Sequence, residues 1–267
     1  MPVPSVLLLR TAGTNCDGET TFAFEMAGAK VQPVHVRALR QSPQMLQEYA
    51  IVVLPGGFSY GDDLGSGTIL ANEIVQFLID PFRRFVESGG LMIGICNGFQ
   101  ALLKTGLLPG LSYAPKSADE LPAATLTFND SQKFEDRWVH LKIERSQSPF
   151  LEGDAGRTIT IPVAHGEGKF VVRDEATLQR LESASQVAFR YVNPTGDGAP
   201  AYPNNPNGAQ NHIAGITDET GRVLGLMPHP ERHVLGWQHP RWTREGLKRE
   251  GDGMFLFRNA VRHATKS

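Results

Sequence analysis

Short apolar runs alternate with helix-like segments over the first 110 residues, and this alternation most constrains the fold. The apolar runs lie at residues 5–10, 30–36, 50–55 and 91–96. The helix-like segments lie at residues 18–29, 42–49, 69–89 and 97–106. Apolar strands separated by helices indicate a parallel sheet covered on both faces. We therefore predict an α/β fold with an open, mostly parallel sheet flanked by helices.

Proline and glycine mark the boundaries within this pattern. Pro81 should kink or break the long segment 69–89, because proline cannot continue a helix interior. Gly106 is placed to cap the segment before it. After residue 120 the pattern becomes strand-like with turn signals, so we expect additional antiparallel strands in the second half. Residues 193–208 are rich in Pro, Gly and Asn and should form a loop, and residues 252–264 a final helix.

Length and composition set the broad class. The 267 residues fit one domain covering 1–267, with or without a modest subdomain. A net charge of −2 gives no basic footprint for nucleic acid. No apolar stretch of about 18 residues is present, so no membrane span is expected. Two cysteines make no disulfide framework and favour a reducing, cytoplasmic location.

The sequence GICNG, at residues 94–98, has the form of a nucleophile turn between a strand and a helix. Small residues at Gly94 and Gly98 allow the strand and helix to approach closely, which forces Cys96 outward at the apex. A sulfur at a helix N-terminus is favoured as the thiolate. The alternative is a buried, inert cysteine, since free cysteines are among the most buried residues.

The sequence MPHPER, at residues 227–232, offers a base for such a nucleophile. In extended chain, residues two apart face the same way, so His229 and Glu231 should project together. The carboxylate would then hold the imidazole in one tautomer and orientation. The alternative is a rigid proline turn carrying a solvated histidine and glutamate.

A second glycine turn follows the third predicted strand, in PGGFSYGDDLG at residues 55–65. A phosphate-binding loop would carry a lysine, whereas this turn carries Asp62 and Asp63. Thiolate attack on an acyl group creates an oxyanion, which backbone N–H groups stabilise. We predict that the N–H groups of Gly57 and Asn97 are that pair of donors.

These motifs together resemble the class I (triad) glutamine amidotransferases, which have a flavodoxin-like fold. Further stretches are similar to the glutaminase components of phosphoribosylformylglycinamidine synthase, an enzyme of purine biosynthesis. The resemblance covers nearly the whole chain in the right order. The stretches are GTNCD (13–17), PGGFSYGDDLG (55–65), GICNGFQALLKTGLLPG (94–110), FNDSQKFEDRWVHLKI (128–143), PVAHGEGKFV (162–171), YPNNPNGAQNHIAGI (202–216) and GLMPHPER (225–232).

The resemblance implies a reaction and a role for each matched residue. Cys96 would attack the side-chain amide of L-glutamine, with His229 relaying protons and Glu231 orienting it. The thioester left after ammonia departs would be hydrolysed by water. The implied substrate-binding residues are Gln100, Gly56, His165 and Gly166. His165 is therefore not expected to be the base, although the residues alone admit it.

The resemblance also implies a partner, because the chain has no recognisable ATP site. Ammonia would pass to a synthetase subunit that uses ATP and Mg, with a small accessory subunit possible, and this chain would carry no cofactor or metal of its own. Residues 193–208 and the tail 233–253, with Trp237 and Trp242, are the expected contact surface. DDLGSG and the long tail are more similar to the fused form of the synthase than to free subunits.

Three other functions are alternatives to a glutaminase of this synthase. A non-catalytic interaction module would be favoured by loss of a triad residue, and none is lost. A cysteine peptidase or chaperone-like hydrolase fits MPHPE and Gln100 less well than a glutaminase does. A glutaminase for a synthetase making GMP, CTP or carbamoyl phosphate is disfavoured by AHGEGKF and FSYGDD. Cys16 matches a family signature at the end of the first strand and is expected to be structural.

Overall fold

The computed structural model describes residues 3–114, 120–196 and 198–266, and within them the chain forms a nine-stranded sheet and a separate two-stranded one. The strands are β1 (Ser5–Arg10), β2 (Lys30–His35), β3 (Ile51–Leu54), β4 (Leu91–Ile95), β5 (Ala124–Thr127), β6 (Glu135–Ile143), β7 (Thr158–His165), β8 (Lys169–Val172), β9 (Val187–Val192), β10 (Ile213–Thr217) and β11 (Val223–Leu226). The helices are α1 (Asp17–Met26), α2 (Val36–Gln41), α3 (Thr68–Phe77), α4 (Ile79–Glu87), α5 (Asn97–Thr105), α6 (Glu175–Ser183), α7 (Trp242–Glu245) and α8 (Met254–Lys266).

The large sheet has a parallel half and an antiparallel half. Its strand order is β2-β1-β3-β4-β11-β10-β9-β6-β7. Pairing is parallel from β2 through β11 and antiparallel from β11 through β7. The small sheet pairs β5 with β8. The predicted fold class, with parallel strands first and antiparallel strands later, is confirmed.

Burial follows the apolar pattern of each strand. Every residue of β3 and β4 is buried, as continuous apolar strands covered on both faces must be. The longer β6 instead mixes buried, half-buried and exposed positions along its length. The sequence pattern therefore separates the centre of the sheet from its outer, antiparallel half.

Two helical predictions in the first half need correction. The predicted helix at 42–49 is a 3₁₀ helix, Pro43–Glu48, and α2 precedes it where only the end of a strand was expected. The long segment 69–89 does break, but at Leu78 rather than at Pro81. Pro81 lies in the first turn of α4, where an N–H group has no helical partner to lose. Gly106 has φ of 75° and caps α5 as predicted.

Helix α6 was not predicted, although its start carries a clear signal. Asp174 Oδ1 accepts the Thr177 N–H at 2.7 Å, which is an N-cap. Leu178 and Leu181 are the buried apolar positions of this helix. The surrounding strand pattern concealed a short helix with only two large apolar residues.

The topology brings three strand ends to one place. In the register of the sheet, Leu54 lies beside Gly94, and Leu226 lies beside Ile95. The turns after β3, β4 and β11 therefore meet, as parallel strands require. The edge strand β7 also reaches this region, because the His229 N–H donates to Pro162 O at 2.8 Å. The antiparallel half of the sheet thus curls over the ends of the parallel half.

Candidate active site

Cys96 occupies the sharp turn between β4 and α5. Its backbone has φ of 50° and ψ of −106°, a left-handed conformation that costs a residue with a side chain about 1–3 kcal/mol. The Cys96 N–H donates to Leu226 O at 2.8 Å, which fixes the turn to the neighbouring strand. This conformation is the one predicted for a nucleophile raised at the apex of a turn.

The glycines on either side permit this turn through close packing. A Cβ at Gly98 would lie 1.9 Å from Leu54 O, and one at Gly94 would lie 2.7 Å from the Gly98 carbonyl carbon. Strand β4, its neighbour β3 and helix α5 therefore approach more closely than any side chain would allow. The reason given for the G-x-C-x-G spacing is confirmed.

His229 and Glu231 form a buried pair. Nδ1 of His229 lies 2.6 Å from Oε1 of Glu231, and the side chains are 2% and 0% exposed. The contact is made across a 3₁₀ turn, Pro230–Arg232, and not along the extended chain that was predicted. With Nδ1 held by the carboxylate, Nε2 is the nitrogen left to exchange protons. Nε2 has no protein hydrogen-bond partner among the residues that the structure describes.

The charge state of His229 follows from its neighbours. Burial lowers the pKa of this imidazole, but the Glu231 carboxylate and then the Cys96 and Cys16 sulfurs outweigh burial and raise the pKa well above its ordinary value. Cys96 and His229 follow two neighbouring parallel strands, β4 and β11, which brings their turns to one place. The hydrogen bond from Cys96 Sγ goes to Ala164 O at 3.6 Å.

His165 lies in the same region but is held as a neutral side chain. Its Nδ1 is 3.1 Å from Asn129 Oδ1, which also accepts the Gly168 N–H at 3.0 Å. Burial, and then the charge of His229, lowers the pKa of His165 to about 3. An imidazole with so low a pKa is a poor general base near neutral pH. The structure therefore argues against His165 as the alternative base.

The turn that contains Gly57 is tied to Asn97 by the Asn97 side chain. Asn97 Oδ1 accepts the Ser59 N–H at 3.0 Å, which ties the turn after β3 to the start of α5. Gly57 has φ of 147° and pairs with Thr14 in an isolated antiparallel bridge. Beside this bridge, the Phe58 N–H donates to Gly13 O at 2.9 Å. Thr14 and Gly57 are therefore a non-hydrogen-bonded pair, in which the N–H groups of the two residues point away from each other.

Asp62 explains why the glycine turn is acidic. Its Oδ1 accepts the Gly67 N–H at 3.1 Å and the Asn97 Nδ2 at 2.9 Å. The carboxylate therefore closes the loop on itself and holds the Asn97 side chain. Asp63 is exposed. This role of Asp62 was not predicted, and only its place beside a strand end could have suggested it.

Gln100 is buried in the wall of the site. Its Oε1 accepts from Asn97 Nδ2 at 3.1 Å, and its Nε2 donates to Glu167 O at 2.7 Å. A carboxamide has two donors and two acceptor lone pairs, so one of each remains. Gly166 lies next to Glu167, and its carbonyl accepts the Asn129 N–H at 3.0 Å.

Cys16, which was expected to be only structural, lies beside His229 in the candidate site. Its Sγ is 4.0 Å from His229 Nδ1 and 3.2 Å from Arg232 Nη2. Gly56 packs into the same corner, because a Cβ there would lie 2.8 Å from His229 Cε1 and 2.9 Å from Cys16 Sγ. The signal was available, since β1 ends beside β3 in the sheet and Cys16 closely follows β1.

One group within the described ranges has the spacing to hold a metal ion: Cys16, His229 and Glu231, whose ligand atoms lie within 4.8 Å of one another. Arg232 Nη2 lies 3.2 Å from the same sulfur, and its positive charge opposes a cation there. In residues 3–114, 120–196 and 198–266, none of the helices combines the length and hydrophobicity needed to cross a bilayer.

Comparison with known proteins gives a consistent result. Residues 3–264 match the model of the CobB/CobQ-like glutamine amidotransferase domain. The phosphoribosylformylglycinamidine synthase subunit PurQ of Dehalococcoides mccartyi is 49% identical over 258 residues, which cover 97% of this chain and 96% of that protein. The PurQ subunit of Methanococcus maripaludis strain S2 is 41% identical over 277 residues, covering 99% and 98%.

A solved structure agrees. A chain in the PurLQS structure from Thermotoga maritima has a TM-score of 0.72 and 31% identity, and the match covers 98% of this chain and 99% of that one. The identity extends over almost the whole length of the chain. The cysteine turn and the buried histidine–glutamate pair agree with it. The chain belongs to the glutamine amidotransferase family and, within it, to the PurQ subunits of phosphoribosylformylglycinamidine synthase.

Proposed function

We propose that this chain is the glutaminase subunit of a phosphoribosylformylglycinamidine synthase. It hydrolyses L-glutamine to glutamate and ammonia, and the ammonia converts formylglycinamide ribonucleotide to formylglycinamidine ribonucleotide in purine biosynthesis. The observation that carries the proposal is the strained turn at Cys96, where φ is 50°, next to the buried His229–Glu231 pair. Backbone strain of this kind concentrates at functional sites.

The reaction follows from the atoms at this turn. The Cys96 sulfur attacks the side-chain carbonyl carbon of glutamine, and its proton passes through His229 Nε2 to the departing ammonia. Water then attacks the thioester and gives a proton to the same nitrogen, which passes that proton to the departing Cys96 sulfur as glutamate is released. Glu231 stabilises the imidazolium that forms in each half of the cycle.

The oxyanion of both tetrahedral intermediates lies between the N–H groups of Gly57 and Asn97. The Asn97–Ser59 hydrogen bond of 3.0 Å supports this placement, because it holds both donors in one rigid unit. Donors fixed before the reaction stabilise developing charge without reorganising. A donor of this kind typically contributes about 10²–10³-fold to kcat.

The amino-acid end of glutamine binds against the wall made by Gln100, Gly56, His165 and Gly166. The unused N–H and lone pair of Gln100 support this assignment, because they can meet the α-carboxylate and the α-amino group. His165 contributes shape and backbone rather than charge, since its pKa is about 3. The chain performs this chemistry without a cofactor or metal of its own.

Ammonia production is coupled to a synthetase. A glutaminase that worked alone would consume glutamine without using the ammonia. The PurLQS structure supports assembly with PurL and PurS partners. The synthetase partner in our proposal is the subunit that uses ATP and Mg, with a small accessory subunit beside it. We expect slow turnover by the isolated chain and activation in the complex. The free, buried cysteines suit the cytoplasm as the place of this reaction.

The decisive experiment measures ammonia release from glutamine by the wild type and by Cys96→Ser. Each is assayed alone and with the synthetase and small subunit, ATP, Mg and formylglycinamide ribonucleotide. The wild type should release ammonia, faster in the complex, and Cys96→Ser should release none above background. Wild-type release by Cys96→Ser would overturn the mechanism. Equal wild-type rates with and without the partners would overturn the coupling.

A further inference from the structure

Cys16 makes a contact that the proposed reaction does not use. Its sulfur packs against the side of the imidazole that carries Nδ1, at 4.0 Å, and against the Gly56 backbone. The Cys16 N–H also donates to Gly56 O at 3.2 Å. Cys16, Gly56 and His229 therefore form one packed corner, and Cys16 is only 1% exposed.

Arg232 brings a positive charge to the same sulfur. Its Nη2 lies 3.2 Å from Cys16 Sγ, and its Nε lies 3.3 Å from Glu19 Oε1. Burial lowers the pKa of Arg232, but the neighbouring Cys16 sulfur and the carboxylates of Glu231 and Glu19 outweigh burial and raise it. This arginine is charged and is electrostatically coupled to the catalytic carboxylate.

One carboxylate oxygen of Glu231 is available to accept a hydrogen bond from Arg232. Its side chain is fully buried, and within the described residues Oε2 has no hydrogen-bond partner. A guanidinium pairs with a carboxylate through two parallel hydrogen bonds, and such a pair is stronger than most single bonds. If Arg232 reached Glu231, the carboxylate would be drawn away from His229.

We propose that Cys16 is a positioning residue for the catalytic histidine: its sulfur separates Arg232 from Glu231 and keeps the imidazole against that carboxylate. The inference rests on the proposed glutaminase function and concerns how the triad is held in one arrangement. It gives a role to a cysteine that does not react with substrate.

The chemistry of sulfur suits this role. Burial raises the pKa of the Cys16 thiol, so the group is neutral near neutral pH. Its S–H donates to Asn15 Oδ1 at 3.2 Å, which leaves the sulfur lone pairs for the Arg232 N–H. Sulfur is large and a weak acceptor, so it fills the corner without binding the arginine or the imidazole tightly.

The protonation of His229 reports on this arrangement, because few groups face it. Glu231 and Arg232 lie on its own turn, Cys96 follows β4, and Cys16 precedes α1. His165 faces it from β7 and is held neutral. Transfer of Glu231 to Arg232 would remove the largest contribution that raises the pKa of His229, and so lower that pKa.

The test compares Cys16→Ala with the wild type in the assembled synthase. We expect kcat for ammonia release to fall by at least about tenfold, since general acid–base catalysis contributes about 10²–10⁴-fold, with KM for glutamine within about twofold. The pH midpoint of the kcat profile should fall, because the pKa of His229 would be lower without its carboxylate partner. The double variant Cys16→Ala/Arg232→Met removes the competing cation and should recover most of both changes.

Two outcomes would overturn the proposal. One is a Cys16→Ala variant with wild-type kcat and pH midpoint. The other is a loss of kcat with an unchanged midpoint and no recovery in the double variant, which would mean a merely structural cysteine. Urea unfolding of each variant separates these effects from a loss of folding. Failure of the glutaminase function itself would be seen independently, as wild-type ammonia release by Cys96→Ser.

Discussion

Asn97 Nδ2 donates to Asp62 Oδ1 across 2.9 Å, joining the first residue of α5 to the loop that follows β3. Asn97 Oδ1 meanwhile accepts the Ser59 N–H from the same loop. One side chain therefore fixes the loop that carries Gly57 relative to the turn that carries Cys96. The position of the proposed oxyanion donors depends on this carboxamide and on the carboxylate that orients it.

Replacement of Asp62 by alanine should loosen this arrangement. The Gly67 N–H and the Asn97 amide would both lose an acceptor, so the proposed oxyanion donors would no longer be held in place. We expect Asp62→Ala to lower kcat by about 10²-fold, the size of effect seen when one such donor is lost. Asp63→Ala is the matched control, because Asp63 is exposed and lies next in the sequence. Equal losses in the two variants would contradict the assignment.

A methyl group at position 56 should disable the base directly. A Cβ at Gly56 would lie 2.8 Å from His229 Cε1, so the imidazole must move in Gly56→Ala. A displacement of about 1 Å can cost about 10²-fold in rate. The matched control is Gly18→Ala, where a Cβ meets no described atom within 4 Å and φ is not in the left-handed region. Steady-state ammonia release should fall only in the first variant.

His165→Gln should distinguish substrate binding from base catalysis. Because the pKa of His165 is about 3, it should not appear in the pH profile of kcat, and the variant should mainly raise KM for glutamine. The native pKa lies below the unfolded value of about 6.5, so the folded protein loses stability as pH falls through that range. Urea unfolding at pH 7 and pH 5 should show a smaller decrease for His165→Gln than for the wild type. A change in the pH profile of kcat would restore His165 as a candidate base.

Exposed aromatic side chains give a test of the partner surface. Trp237 is 44% exposed, and Tyr202, from the loop at 193–208, is 60% exposed. Deletion of the tail would be too invasive, because His239 is buried and stacks edge-on against Trp138 with ring centroids 5.1 Å apart. We expect Trp237→Ser and Tyr202→Ser to weaken binding to the synthetase in a titration while alkylation of Cys96 proceeds at the wild-type rate. Unchanged binding by both variants would place the interface elsewhere.

The parallel half of the fold and the sharp turn at Cys96 could be predicted because their signals are local. A fully apolar strand indicates burial on both faces of the sheet. The sequence GICNG predicts a sharp strand-to-helix turn with Cys96 at its apex. The predicted break at Pro81 in the segment 69–89 lies after the observed one, because the prediction took proline as the cause of the break. The chain in fact departs from helix at Leu78, and proline is tolerated in the first turn of the next helix.

The packing around the triad could not be predicted, since it depends on strand order. Cys16 and Arg232 are 216 residues apart and meet only because β1 and β11 flank the β3–β4 pair in the sheet. The contact of Ala164 with Cys96 likewise requires the antiparallel half to curl over the parallel half. Neither long-range contact follows from hydrophobic periodicity, and Cys16 was expected to be structural.

Glu231→Gln tests the origin of the raised pKa of His229. Burial alone lowers the pKa of this imidazole, so removal of the carboxylate should leave His229 neutral near pH 7 and slow alkylation of Cys96 by about tenfold or more. The raised native pKa stabilises the fold at pH values below the unfolded value of about 6.5, and this contribution is lost as pH rises through the native pKa. The deficit of Glu231→Gln in urea unfolding should therefore be larger at pH 6 than at pH 9. A deficit that grows toward alkaline pH would show that the carboxylate does not stabilise an imidazolium.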